Sequence, residues 1–198
     1  MPSMSEKIMN YAEGLPEGAV ICPDALSHLG NRPAIHQALS RLVRRSRLMR
    51  VYRGVYVSTI KAHFGYCPPD FNKVIDAFSE YWGETIVPSG GGAANFLGLT
   101  EQVPIRLSYL TSGPSRQLQF YTEVNLRHAP RWQLVAPDST TGTLIRALTF
   151  LHPDEVDEAL SKVVPRLSEA EMNELLAARS ILPKWIAKPL SDHVNYEQ

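Results

Sequence analysis

Eight cations crowd into residues 25–69: Arg32, Arg41, Arg44, Arg45, Arg47, Arg50, Arg53 and Lys61, with no Asp or Glu among them. The 198-residue chain has 20 basic and 20 acidic side chains, so this stretch carries +8 and the remainder −8. Guanidinium and ammonium groups do no covalent chemistry by themselves. They hold anions, and guanidinium holds phosphate oxygens or a guanine edge with paired donors. Without counter-charge they repel one another unless a polyanion lies against them, whereas a surface built for solubility mixes its signs. The pattern points to DNA. A solvated basic face, with arginines complementing a helix C-terminus, is the plainer alternative, and docking to an acidic protein is another.

The elements around these cations give them positions. Residues 5–15 carry apolar side chains at helical spacing, and Gly14, Pro16 and Gly18 break the run. Residues 19–21 read as a short strand. Pro23 suits the first turn of a second short helix over 24–29, with Gly30 and Asn31 ending it in the left-handed conformation. A third helix is expected over 33–45. Its Ile35, Ala38, Leu39, Leu42 and Val43 form one apolar stripe, which turns Gln37, Ser40, Arg41 and Arg44 outward. Residues 48–57, rich in β-branched and aromatic types and interrupted by Gly54, read as a tight hairpin with Arg50 and Arg53 in or beside its turn.

Helix, strand, helix, turn, helix, hairpin is the order of a winged helix-turn-helix. In that arrangement the N-terminal half of the last helix reads base edges, here Asn31, Arg32, Gln37, Ser40 and Arg41. Arg44, Arg45 and Arg47 suit phosphates, with Arg45 the residue least committed to a role. Arg50 and Arg53 reach an adjacent groove or backbone. This domain is assigned residues 1–62.

Residues 63–69, stiffened by Pro68 and Pro69, read as a linker. Residues 70–190 are read as an α+β domain. Phe71, Val74, Ile75, Phe78 and Trp82 form a helical stripe, and residues 85–87 read as a short strand. Alternating runs at 105–110, 117–122, 124–128 and 132–135 predict a small, largely antiparallel sheet. Helices are expected at 143–151, at 153–164, around a Ser168–Glu171 capping box, and at 183–190. Residues 191–198 read as a frayed polar tail.

Other chemistry-bearing residues form no constellation. Cys22 and Cys67 have no partner motif and read as free buried cysteines. His28 and His36 read as surface or capping residues rather than ligands, and Asp154 with Asp157 as helix-start charges rather than a metal pair. Gly90, Gly91 and Gly92 lie in neither a phosphate loop nor a dinucleotide fingerprint. They read as a close-packing helix that Ser89 caps. No enzyme activity is indicated, and no cofactor or metal is expected. No apolar run approaches a membrane span and the N-terminus has no apolar leader, so the expected location is cytoplasmic.

Two stretches carry a family resemblance. Ala-Leu-Ser-Arg-Leu-Val-Arg-Arg followed by Leu-Met-Arg-Val-Tyr-Arg-Gly-Val-Tyr, within residues 38–56, resembles the winged-helix domain of AbiE-type antitoxins. Gly-Gly-Ala-Ala-Asn-Phe-Leu-Gly-Leu-Thr-Glu-Gln-Val-Pro, residues 91–104, is similar to the segment that opens their second domain. The resemblance spans roughly residues 5–150 and implies a bacterial type IV antitoxin. Such a protein represses its own operon by binding inverted repeats in double-stranded operator DNA, and its C-terminal domain is associated with neutralising a nucleotidyltransferase toxin. Three readings stay open: antitoxin and autorepressor; a winged-helix interaction adaptor or a regulator without a toxin; and a nucleotide-handling enzyme built around residues 89–95. Oligomeric state is open as well.

Overall fold

The computed structural model describes residues 2–102 and 107–195. The fold is α+β, with helices and, among the described residues, three small sheets. In chain order the elements are α1 (Met4–Glu13), α2 (Arg32–Arg44), β1 (Leu48–Tyr52), β2 (Val55–Ser58), β3 (Ile60–Ala62), β4 (Gly65–Cys67) and α3 (Phe71–Trp82). Next come β5 (Ile86–Pro88), α4 (Gly90–Phe96), β6 (Leu107–Thr111), β7 (Arg116–Gln119) and β8 (Glu123–His128). Beyond them lie α5 (Thr140–Leu148), α6 (Val156–Val163), α7 (Glu169–Ala178) and α8 (Lys184–Asn195). Among the described residues no helix is long and apolar enough to cross a membrane.

The chain forms two compact units, Met1–Glu84 with Gln117–Val124, and Thr85–Arg116 with Asn125–Gln198. In the first, Ser3 and Glu6 form a capping box that starts α1, which buries Ile8, Met9 and Ala12. The α2 stripe buries Ile35, Ala38, Leu39 and Leu42 against them, together with Ile21, Leu26, Leu48 and Tyr56. Each buried Leu or Ile among them contributes about 1.5–3 kcal/mol by leaving water. The expected strand at 19–21 is a single bridge, with Ile21 and Tyr56 exchanging both backbone hydrogen bonds at 2.8 and 2.9 Å. The expected helix at 24–29 is a turn followed by one 3₁₀ turn, Ser27–Leu29. Six residues between Pro23 and Gly30 are too few to repay helix nucleation.

Residues 63–69 are not a bare linker. β3 and β4 pair antiparallel, Lys61 opposite Tyr66 and Ala62 opposite Gly65. Both strands are solvent-facing along most of their length, so they show no apolar alternation by which sequence could reveal them. The boundary also shifts: α3 belongs to the first unit. Asp70 caps it by accepting from the Asn72 and Lys73 amides, and Gly83 ends it in the left-handed conformation. The Asp70 amide donates to Glu17, whose carboxylate also pairs with Lys73. Trp82 stacks on Phe78 at 4.5 Å and meets the edge of Tyr52 on β1 at 5.9 Å. These contacts join α3 to the β1–β2 hairpin.

The larger sheet has the order β5-β6-β8-β7, with β5 and β6 antiparallel. The run at 132–135 supplies no strand. Arg131–Gln133 is a 3₁₀ turn after Pro130, and the fourth strand is β5 instead. Of the run at 105–110, residues 105 and 106 lie outside the described residues. In the second unit α5 supplies Leu144, Ile145 and Leu148 to a core completed by Val156, Leu160, Leu175, Ile186 and Leu190. The Ser168–Glu171 capping box forms in full. α8 continues through 191–195, in place of the expected frayed tail; residues 196–198 lie outside the described residues.

Candidate nucleic-acid interface

Burial of the α2 stripe leaves Arg32, His36, Gln37, Ser40, Arg41 and Arg44 exposed. Pro33 occupies the first turn, where its missing N–H leaves no bond unmade. Asn31 does not end a preceding helix. It starts α2, its Oδ1 accepting from the Ala34 amide at 2.9 Å. That acceptor is therefore engaged within the fold, which leaves Asn31 less of its side chain for any base edge than the sequence pattern implies.

Beside α2, the β1–β2 hairpin turns at Gly54, whose φ of 75° favours glycine. Arg50 and Arg53 are exposed on this hairpin. One groove of about 530 Å³ brings the two elements together. Arg32, His36 and Ser40, spaced one helical turn apart, line it from α2; Arg50 and Arg53 line it from the hairpin. Three guanidinium groups thus share one concave surface with a hydroxyl and an imidazole, each able to donate or accept. Asp24 also lines the groove. A carboxylate there repels phosphate but accepts from an amino donor such as cytosine N4.

The remaining sequence-assigned residues lie elsewhere. Gln37, Arg41 and Arg44 are exposed on α2 but do not line the groove, and Arg45 is the exposed C-terminal cap. Arg47, read from the sequence as suited to phosphate, has partners within the fold. It is partly buried, its guanidinium lies 3.7 Å from Glu13 and it sits 5.1 Å over the Tyr66 ring. Sequence reasoning misses His36 and Asp24. His36 was legible, because it lies four residues from both Arg32 and Ser40. Asp24 was not, since only folding brings the 23–26 turn beside α2.

Residues outside the groove are quieter. His28 packs against the Tyr11 ring at 5.6 Å. Cys22 and Cys67 are free, but half-buried rather than buried. Among the described residues no group of three or more His, Cys, Asp or Glu side chains is placed to hold a metal. Residues 7–176 match a family of unknown function, DUF6088. The chain belongs to this family. The DUF6088 match runs through parts of both units, so it takes in the cationic groove and most of the helical core of the second unit. None of the curated proteins compared with the chain matches it.

Proposed function

We propose that the first unit is a winged helix-turn-helix that binds duplex DNA, with α2 as the groove-entering helix and β1–β2 as the wing. The observation that carries this reading is the shared groove, where Arg32 on α2 faces the same space as Arg50 and Arg53 on the hairpin. A helix in the major groove and a hairpin on the neighbouring backbone present cations in this way. Gln37, Arg41 and Arg44 extend the polar, cationic surface along α2. Taken with the AbiE-type resemblance of residues 38–56 and 91–104, the chain is a bacterial antitoxin and autorepressor that counteracts a nucleotidyltransferase toxin, and it is not an enzyme.

Two measurements test this. DNA from upstream of the protein's own reading frame should shift in a gel with the wild-type protein, and a triple Arg32→Ala, Arg50→Ala, Arg53→Ala variant should lose the shift. Co-expression with the neighbouring reading frame should relieve growth arrest caused by that frame alone. Binding to an acidic protein with no binding to any duplex would replace this reading with the adaptor.

A further inference from the structure

The β3–β4 hairpin has no part in the groove, yet it carries an unusual tip. Phe64 is 106% exposed, so its ring has left its own fold entirely. Turn tips are ordinarily Gly, Asn, Asp or Ser, which leave no apolar area in water. Ile60 and Tyr66 are also exposed on the two strands. Lys61 sits opposite Tyr66, the Arg47 guanidinium that lies over Tyr66 has Glu13 on its other side, and the acid-free run of the sequence extends through the hairpin to residue 69.

The hairpin is also fixed in place. The Thr59 hydroxyl donates to the Ser46 carbonyl at 2.6 Å and lies 2.9 Å from the Arg47 carbonyl, and the Thr59 amide donates to the Arg47 carbonyl at 3.2 Å. The Arg47 guanidinium covers the Tyr66 ring. The base of the hairpin is thereby tied to the turn after α2. An isolated pair of exposed strands is marginal in water, so these ties position the tip.

An exposed aromatic ring on a hairpin that also carries Lys61, within the acid-free run, matches one surface well, a nucleic acid, where bases offer π-faces and phosphates offer charge. We propose that β3–β4 is a second DNA-contacting element, with Phe64 seated against a base face and Lys61 on the adjacent backbone. This rests on the reading of the first unit as DNA-binding. An apolar pocket on a protein would accept the ring, but it would have no use for the +8 carried by the stretch that holds it, residues 25–69.

The test uses the full chain at low salt and a panel of linear duplexes carrying 2-aminopurine at successive positions, whose emission rises when the base unstacks. Wild-type protein should raise emission on binding. Phe64→Ala should bind about tenfold more weakly and lose the rise, while Phe64→Trp should keep both. The Phe64 ring supports nothing in the fold, so the alanine variant remains folded, as circular dichroism would check. Arg32→Ala should weaken binding yet give the full rise at saturation. If Phe64→Ala matches wild type in affinity and emission while Arg32→Ala is weakened, the hairpin contact is wrong and the DNA reading stands. No rise at any position with wild-type protein bound also removes the base contact. If wild-type protein binds no duplex, both readings fall.

Discussion

Arg32 and Arg47 carry the same charge in different surroundings. Arg32 is exposed on the cationic groove, whereas Arg47 is engaged by Glu13 and Tyr66. Arg32→Ala should weaken duplex binding about tenfold. Arg47→Ala should weaken binding less than Arg32→Ala does, through the hairpin it steadies, and cost about 0.2–1 kcal/mol of stability, the range of an exposed ion pair. Fluorescence anisotropy and urea melts measure the two effects, and an Arg47→Ala loss of affinity equal to that of Arg32→Ala would erase the distinction. Arg146 poses a different question. It is 1% exposed, and burial lowers its pKa to about 10 against the opposing pull of Asp138. Its Nη2 donates to the Pro137 carbonyl at 3.2 Å and to Thr143 at 3.1 Å, while Nε and Nη1 have no hydrogen-bond partner among the described residues. Uncompensated buried charge costs stability, so Arg146→Met should be neutral or should stabilise the protein by about 1–4 kcal/mol in urea melts. Clear destabilisation would mean that the guanidinium has compensation beyond these two bonds.

At the scale of elements, α4 and α5 meet through glycine. A Cβ on Gly90 would lie 2.6 Å from the Thr149 hydroxyl and 2.7 Å from the Arg146 carbonyl on or beside α5. The triple glycine therefore serves close packing at this position, as its sequence context implied. Gly90→Ala should cost about 1–3 kcal/mol by forcing the helices apart, and a thermal melt unchanged from wild type would contradict the contact. The start of α7 sets a pH dependence. A hydrogen bond from the Thr140 side chain, together with smaller contributions from Ser168, lowers the Glu171 pKa to about 2. A depressed carboxylate pKa stabilises the fold above the unfolded value, near 4.5, and that contribution disappears as pH falls toward 2. Glu171→Gln should therefore lower stability at neutral pH and flatten the decline between those limits, which denaturant melts across an acid series would record.

At the scale of the molecule, zero net charge conceals a strong asymmetry. If about four phosphates are neutralised per bound domain, log K should fall against log salt with a slope near −3.6. A flat response would overturn electrostatic binding whatever the arginine count. The −8 outside residues 25–69 makes DNA an unfavourable partner for the rest of the chain taken together. The extent of the first unit also matters. α3 completes it through Trp82, Phe78 and Tyr52, so a truncation after residue 62 would strip these aromatic contacts and expose β1.

Sequence alone determined what depends on near neighbours. The α2 stripe, the Gly54 hairpin, the Ser168 cap and the single-signed run of residues 25–69 are all periodic or local, and local geometry decides which side of an element is buried. Tertiary structure decided what faces what. It placed Arg32 with Arg50 and Arg53 across one groove, added His36 and Asp24, set Arg47 beside Glu13 and Tyr66, and paired residues 65–67 of the expected linker with residues 60–62 as a hairpin. The helical period gives each side chain an angle on its own element. The partner across space depends on how elements distant in sequence pack, and no local pattern contains that.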